Sequence, residues 1–380
     1  MVGVGLILRQ TIIMNEQSAK LISWPETNHD EDLRRSVARL AEADGPADES
    51  GAWPETLWSL LTDARAPRWA LPKSIGGDEC GRTELLERYA RVTEGSMTAA
   101  FILTQHDSGV RRLLAARDRP VAEAWISAIA DRGAFTTVGI SQLTTSRRHG
   151  AQAMRAVARS GGGYRLEGTM PWVTAAERAD VLVTGAVLED GEQLLIALPT
   201  DRPGLTIPPP FNLAALQASR TTEVVCHAVD IRADEILAGP SPNVIATPGA
   251  AGTGGLETSA LALGLARAAL NALIAEIATR SELDEPADAL ASTWNELWFA
   301  LMQTAREEAD ALTPGQIRSQ ANALVLKCTQ AYLTARKGTG FLRSEPAQRW
   351  ARQALFFLVW SCPSPVAQAA IRDLAGLCSI

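Results

Sequence analysis

Residues 164–174 read Tyr164-Arg165-Leu166-Glu167-Gly168-Thr169-Met170-Pro171-Trp172-Val173-Thr174. Their bulky and apolar residues suit a half-buried β-strand. On an uninterrupted strand, positions two apart point to the same side, so Trp172 and Thr174 are expected to share a face. Three more stretches of this kind surround it: Ala179 to Leu188, Gln193 to Leu198 and Thr222 to Val229. Gly, Asp and Pro residues punctuate them. No helical pattern of about a dozen residues falls between them, as βαβ units would require, and there is no Rossmann fingerprint. The spacing predicts an antiparallel β domain.

Outward from this block, the period becomes helical on both sides. Asp30 to Leu40 carries Leu33, Val37 and Leu40 on one face, with acidic residues at its start. Glu55 to Leu61, Thr83 to Val92, Met97 to Ala115 and Val121 to Ile129 continue the pattern, with breaks at Pro72 and Gly76-Gly77. After Gly254, helices are expected over Leu256 to Ile277, Ala287 to Ala309, Gly315 to Ala335 and Gln348 to Trp360. Their broad apolar faces suit a bundle. The order predicts an α+β protein: an N-terminal helical domain over 1–132, a central antiparallel β domain over 133–240 and a C-terminal four-helix bundle over 241–380.

Composition narrows the function. The chain has 380 residues, 46% of them hydrophobic, enough for a large core. A formal charge of −7 disfavours nucleic acid as a partner, since that needs a basic face. The five Cys are scattered with no CxxC pair, so neither a disulfide framework nor a zinc site is expected, and reduced thiols suit a cytoplasmic location. The longest membrane-span candidate, Leu256 to Ala275, contains Glu257, Arg267 and Asn271, so no membrane span is expected. The first apolar run is broken by Arg9, lacks a basic leader and argues against a signal peptide, leaving Met1 and Met14 as alternative starts.

Four stretches in this order resemble the FAD-dependent acyl-CoA dehydrogenase superfamily over roughly residues 30 to 373. Residues 164–174 resemble its Tyr-x-x-x-Gly-x-Lys-x-Trp-Ile-Thr, with Met170 in place of Lys. Ser219 to Leu237 is similar to its Ser-x-Thr-x-x-Val-x-Phe-x-x-Val-x-Val-Pro-x-x-x-Val-Leu. Lys337-Gly338-Thr339-Gly340 resembles an altered Gln-x-x-Gly-Gly-x-Gly segment, with Thr334 for Gln and Lys337 for one Gly. Near the C-terminus, Arg352-Gln353-Ala354 through Trp360-Ser361-Cys362 resembles Arg-Asp-Ala-x-x-x-x-Ile-Tyr-Glu-Gly-Thr. The glutamate of that pattern is the usual catalytic base, and Ser361 stands in its place. This chain therefore resembles a divergent member without the usual base.

The resemblance implies FAD-binding roles for particular residues. Trp172 would pack against the isoalloxazine ring and Thr174 would approach N5; as a plain sequence feature, the pair also suits an ordinary core Trp and strand Thr. Arg280, followed by Leu283-Asp284 where relatives have Phe-Gly, would reach the pyrophosphate across a subunit interface, or else is a solvated helix-end Arg. Opposite the first flavin loop stands Gln142-Leu-Thr-Thr-Ser146-Arg147-Arg148-His149, where Ser141, Thr144, Thr145 and Ser146 offer hydroxyls and Arg147 or Arg148 a phosphate partner; a solvated basic loop fits equally. Lys337 and Gly338 are adenine-side candidates, Lys337 as a phosphate partner; a surface Lys fits equally. Glu257, at the start of the first bundle helix, is the candidate relocated base, because some relatives carry the glutamate on that helix, or else an acidic residue that complements the helix N-terminus; Ser361, with Cys362 beside it, holds the old catalytic position, as a packing or lining residue or as a nucleophile.

These residues imply oxidation of an acyl thioester, presented by CoA or an acyl carrier protein, with an electron-transferring flavoprotein as a possible acceptor and a homodimer or homotetramer as the assembly. Two alternatives stay open: a flavin monooxygenase or oxidase on the same fold, and a catalytically silent binding or complex subunit.

Overall fold

The computed structural model describes Trp24 and residues 30–143, 154–246, 255–360 and 362–377. The N-terminal helices are α1 (Asp30–Ser50), α2 (Glu55–Asp63), α3 (Arg82–Gly95), α4 (Met97–Ala115) and α5 (Pro120–Arg132). Strands follow: β1 (Thr136–Gly139), β2 (Arg155–Ala158), β3 (Tyr164–Val173), β4 (Val181–Val187), β5 (Gln193–Pro199), β6 (Leu205–Thr206), β7 (Thr222–Ile231) and β8 (Ile236–Ser241). The C-terminal helices are α6 (Leu256–Glu276), α7 (Asp284–Ala305), α8 (Pro314–Arg336), α9 (Pro346–Phe356) and α10 (Ser364–Leu374). The order helical, β, helical is the expected one. The sequence reading carried no separate helix over Ser364–Leu374.

The sheet runs β6-β7-β3-β2-β4-β5-β8, with β1 also on β4. Most neighbours are antiparallel, but β1 and β2 each lie parallel to β4, so the sheet is mixed. Parallel partners are joined by long connections, and nothing local in sequence records them. Both faces of the sheet are covered. On one, Val110, Leu113, Ile126 and Ile129 pack against Val181, Val183 and Leu195. On the other, Leu166, Met170, Leu182, Ile196 and Val224 form a second apolar layer. Continuous runs such as the wholly buried β4 reflect this double cover.

The N-terminal and C-terminal helices share one core, in which Leu86, Tyr89 and Ala90 meet Leu261, Leu265 and Trp294. The α3–α6 crossing is tight at Gly264, where a Cβ would stand 2.2 Å from the Ala90 carbonyl oxygen. α6 is long and apolar enough to cross a membrane, yet 78% of its most apolar window is buried in the protein. Polar ties also join the two helical segments. Arg349 Nε donates to Asp44 Oδ2 at 2.8 Å, and Ser96 Oγ donates to Asp44 Oδ1 at 2.6 Å.

Candidate active site

The stretch 164–174 bends where it matters. Pairing of β3 with β7 slips between Leu166 and Gly168 and again between Met170 and Val173. At the second slip Trp172 takes φ 59°, a conformation a bulky side chain rarely adopts. The strict alternation expected from sequence is thereby lost: Trp172 is 58% exposed, while Thr174 is only 2% exposed. The indole lies 5.1 Å from the ring of Phe211. Ser141 Oγ donates to the Pro171 carbonyl at 2.6 Å, fixing the backbone just ahead of Trp172. Thr174 Oγ1 lies 3.2 Å from Thr221 Oγ1, which lies 2.8 Å from Ser219 Oγ. A broad apolar ring thus stands at the surface beside a buried row of hydroxyls.

A second group forms where α6 and α8 end. Arg280 Nη1 donates to the Ala335 carbonyl at 2.6 Å, near the C-terminus of α8. Its Nε and Nη2 are buried without a hydrogen-bond partner, although Glu276 approaches Nε at 4.0 Å. This contact brings Arg280 beside the segment carrying Lys337 and Gly338. Lys337 adopts φ 53° and ψ −146°, a backbone state that glycine enters far more easily. A Cβ at Gly338 would meet nothing within 4 Å, so the backbone there is open to close approach. Asp284, in the place of a glycine in the resembling pattern, leaves Oδ1 buried and unpartnered.

The third group lies between α4 and the start of α6. Phe101 of α4 packs edge-on to Trp360 at 4.8 Å and to Phe356 at 5.1 Å. Gln105, Ser108 and Arg111 follow on nearly the same side at helical spacing and are only half-buried, so this side of α4 opens outward. Arg111 Nη1 donates to Glu257 Oε1 at 2.6 Å, with both side chains 22% exposed. Burial pushes the Glu257 carboxyl up, but the Arg111 charge, its own backbone N–H and the Arg111 hydrogen bond hold it below the usual carboxylate range. Behind Arg111, Tyr89 Oη donates to Asp107 Oδ2 at 2.5 Å, and Asp107 Oδ1 is buried without a partner. Burial dominates at Asp107 and raises its carboxyl to about 7, against the lowering by Tyr89 and Arg111.

Ser146, Arg148 and Ser361 lie outside the described residues, as do Thr144, Thr145 and Arg147. Cys362 is half-buried, and burial raises its thiol against the opposing charge of Arg318. A reading by apolar period passes over Arg111, Asp107 and Phe211, because their partners lie far off in sequence. The one available signal was Asp107 and Arg111, oppositely charged residues four apart on a helix whose first turns are mostly apolar.

No protein-family model matches the chain. A probable acyl-CoA dehydrogenase of Bacillus subtilis, YngJ, is 28% identical over 187 residues, spanning 48% of each chain. Benzylmalonyl-CoA dehydrogenase of Aromatoleum aromaticum is 25% identical over 294 residues, 73% of this chain and 74% of that one. The fold of butyryl-CoA dehydrogenase from Megasphaera elsdenii superposes with a TM-score of 0.76 over 93% of this chain and 100% of that one, at 15% identity. The chain belongs to the acyl-CoA dehydrogenase superfamily. Within this superfamily it is a divergent member: Ser361 stands where the usual glutamate would be, and Met170, Lys337 and Asp284 depart from the resembling patterns.

Proposed function

We propose that this protein is an FAD-dependent oxidoreductase that oxidises an acyl thioester carried by CoA or an acyl carrier protein. The observation that carries the reading is the exposed Trp172 indole, held in an unusual backbone state beside the buried hydroxyls of Thr174, Thr221 and Ser219. A surface indole of this kind suits a planar aromatic ligand. Arg280 supports it, with two buried N–H-bearing nitrogens still free for a phosphate. When bound, the flavin supplies a hydride acceptor. Trp172 and Thr174 would hold its ring system, and Arg280 with the open backbone at Gly338 its phosphate and adenine portion. Lys337 keeps a backbone shape suited to glycine while adding a cation there. In the resembling fold the counterpart of Arg280 completes a neighbouring copy's site, which favours a homodimer or homotetramer.

The acyl group would lie along the open side of α4. Glu257 is then the proton acceptor, and Arg111 keeps it ionised at neutral pH at the cost of basicity. That same pairing favours one second reading, an oxygen-using flavin enzyme that needs no carboxylate base. An electron-transferring flavoprotein is the expected acceptor in the first case. The test is the visible spectrum of the purified protein, followed by anaerobic mixing with acyl-CoAs of varied length. Bleaching by an acyl-CoA supports the dehydrogenase. A yellow protein bleached only by NADH, and reoxidised by oxygen with product hydroxylation, replaces it with the second reading; a colourless protein that binds no FAD removes both.

A further inference from the structure

Arg318 of α8 is 1% exposed and has no carboxylate within ion-pairing distance among the described residues. Its Nη2 donates to the Trp360 carbonyl at 2.7 Å and reaches the Phe357 carbonyl at 3.5 Å, while Nε and Nη1 are buried with no partner. One turn along α8, Asn322 Nδ2 donates to the same Phe357 carbonyl at 2.9 Å, and its Oδ1 is unpartnered. Gln353 of α9, four residues before Phe357, is wholly buried with neither amide atom bonded. Gln353 also stands where the resembling Arg-Asp-Ala pattern has an acid, so a neutral amide occupies that position.

Burial lowers the Arg318 guanidinium to about 10, which still leaves it charged at neutral pH. The carbonyls at the end of α9 offset only part of that charge. A buried unpaired charge is expensive, and waters would satisfy its N–H groups without neutralising it. Half-buried Cys362 lies close enough for the Arg318 charge to lower its thiol against the effect of burial.

We propose that Arg318, with the Gln353 amide, forms a binding site for one small monovalent anion, a halide or a formate-sized carboxylate, beneath the turn running from Phe357 to Trp360. The bound anion takes the free Arg318 N–H groups and the Gln353 NH2, and it stiffens that turn. The site does not depend on which substrate the enzyme oxidises.

The test uses the intact wild-type protein. Crystals soaked in sodium bromide should show anomalous density within hydrogen-bonding distance of Arg318 Nε or Nη1. In solution, bromide and formate should each raise Tm saturably over a bulky sulfonate at matched ionic strength, and each should slow alkylation of Cys362 read by peptide mapping. Arg318→Met should abolish both responses, and Cys362→Ser should keep the Tm rise. Response to formate alone assigns the site to carboxylates; response to both assigns it to monovalent anions generally. Absence of bromide and formate density at Arg318 in the wild type overturns the proposal, whether or not Arg318→Met folds. So does an undiminished Tm response in folded Arg318→Met.

Discussion

Trp172 and Glu257 carry the two halves of the proposed chemistry, and their surroundings set what substitution should do. Trp172 is largely exposed, so Trp172→Ala should cost the fold less than about 1 kcal/mol. Loss of a stacking partner should weaken FAD binding by about threefold to tenfold. Equal FAD affinity in the two proteins, measured by fluorescence titration of the apo forms, would remove Trp172 from the site. Glu257→Gln should slow anaerobic flavin reduction by about 10²–10⁴ while the flavin stays bound. Arg111→Met should move the acidic limb of that reaction to higher pH, since Arg111 is what lowers the carboxyl. A rate unchanged in Glu257→Gln would end its assignment as base.

The same cluster makes a pH prediction about stability. The folded Asp107 carboxyl is raised from 3.8 to about 7, so between those values the folded state holds a proton that the unfolded chain has lost. Stability from this group is therefore full below the unfolded value and falls as pH rises toward 7. Glu257 acts with the opposite sign, stabilising above its unfolded value and losing that as pH falls through its lowered folded value. Asp107→Asn should flatten the decline and gain about 1–3 kcal/mol above neutrality. Urea titrations at a series of pH values would show it; parallel pH curves for the two proteins would contradict it.

At the scale of elements, most helices and strands were legible because each keeps one apolar period along its length. Leu33, Val37 and Leu40 marked α1, and the β-branched run after Ala179 marked β4. The bulges in β3 were not legible, since their cause lies in the pairing with β7, some fifty residues away. Gly264 belongs to this scale as well. In sequence it is one small residue in an Ala-rich helix; in the fold it is where α6 meets the backbone of α3. Gly264→Ala should force the two helices apart and destabilise by about 1–3 kcal/mol, because the blocking atom is a backbone carbonyl that cannot swing away. Equal denaturation midpoints would show that the crossing has room to spare.

For the whole molecule, the two helical segments close around a shared core and are tied by Asp44–Arg349. Around them the bundle surface exposes Phe299, Phe341, Leu355 and Val359, with Phe341 78% and Val359 74% exposed. Such side chains suit burial against a second copy. Native mass measurement should give a dimer or larger, and FAD should be lost in parallel with dissociation. A monomer that retains FAD in full would argue that each chain builds its site alone.

The sequence by itself determined the order of helical and β segments, the superfamily resemblance and the absence of a glutamate at position 361, because these depend on local period and on residue identity. It also located Arg280 beside the glycine-like segment at 337–340 only as two separate motifs. The tertiary structure decided that they adjoin, that Trp172 and Thr174 part company at a bulge, and that Glu257 is bound by Arg111. Each of these depends on a partner distant in the chain: Arg111 is 146 residues from Glu257, and Ala335 is 55 from Arg280. Charge, burial and backbone strain act through space, so only the packed chain assigns them.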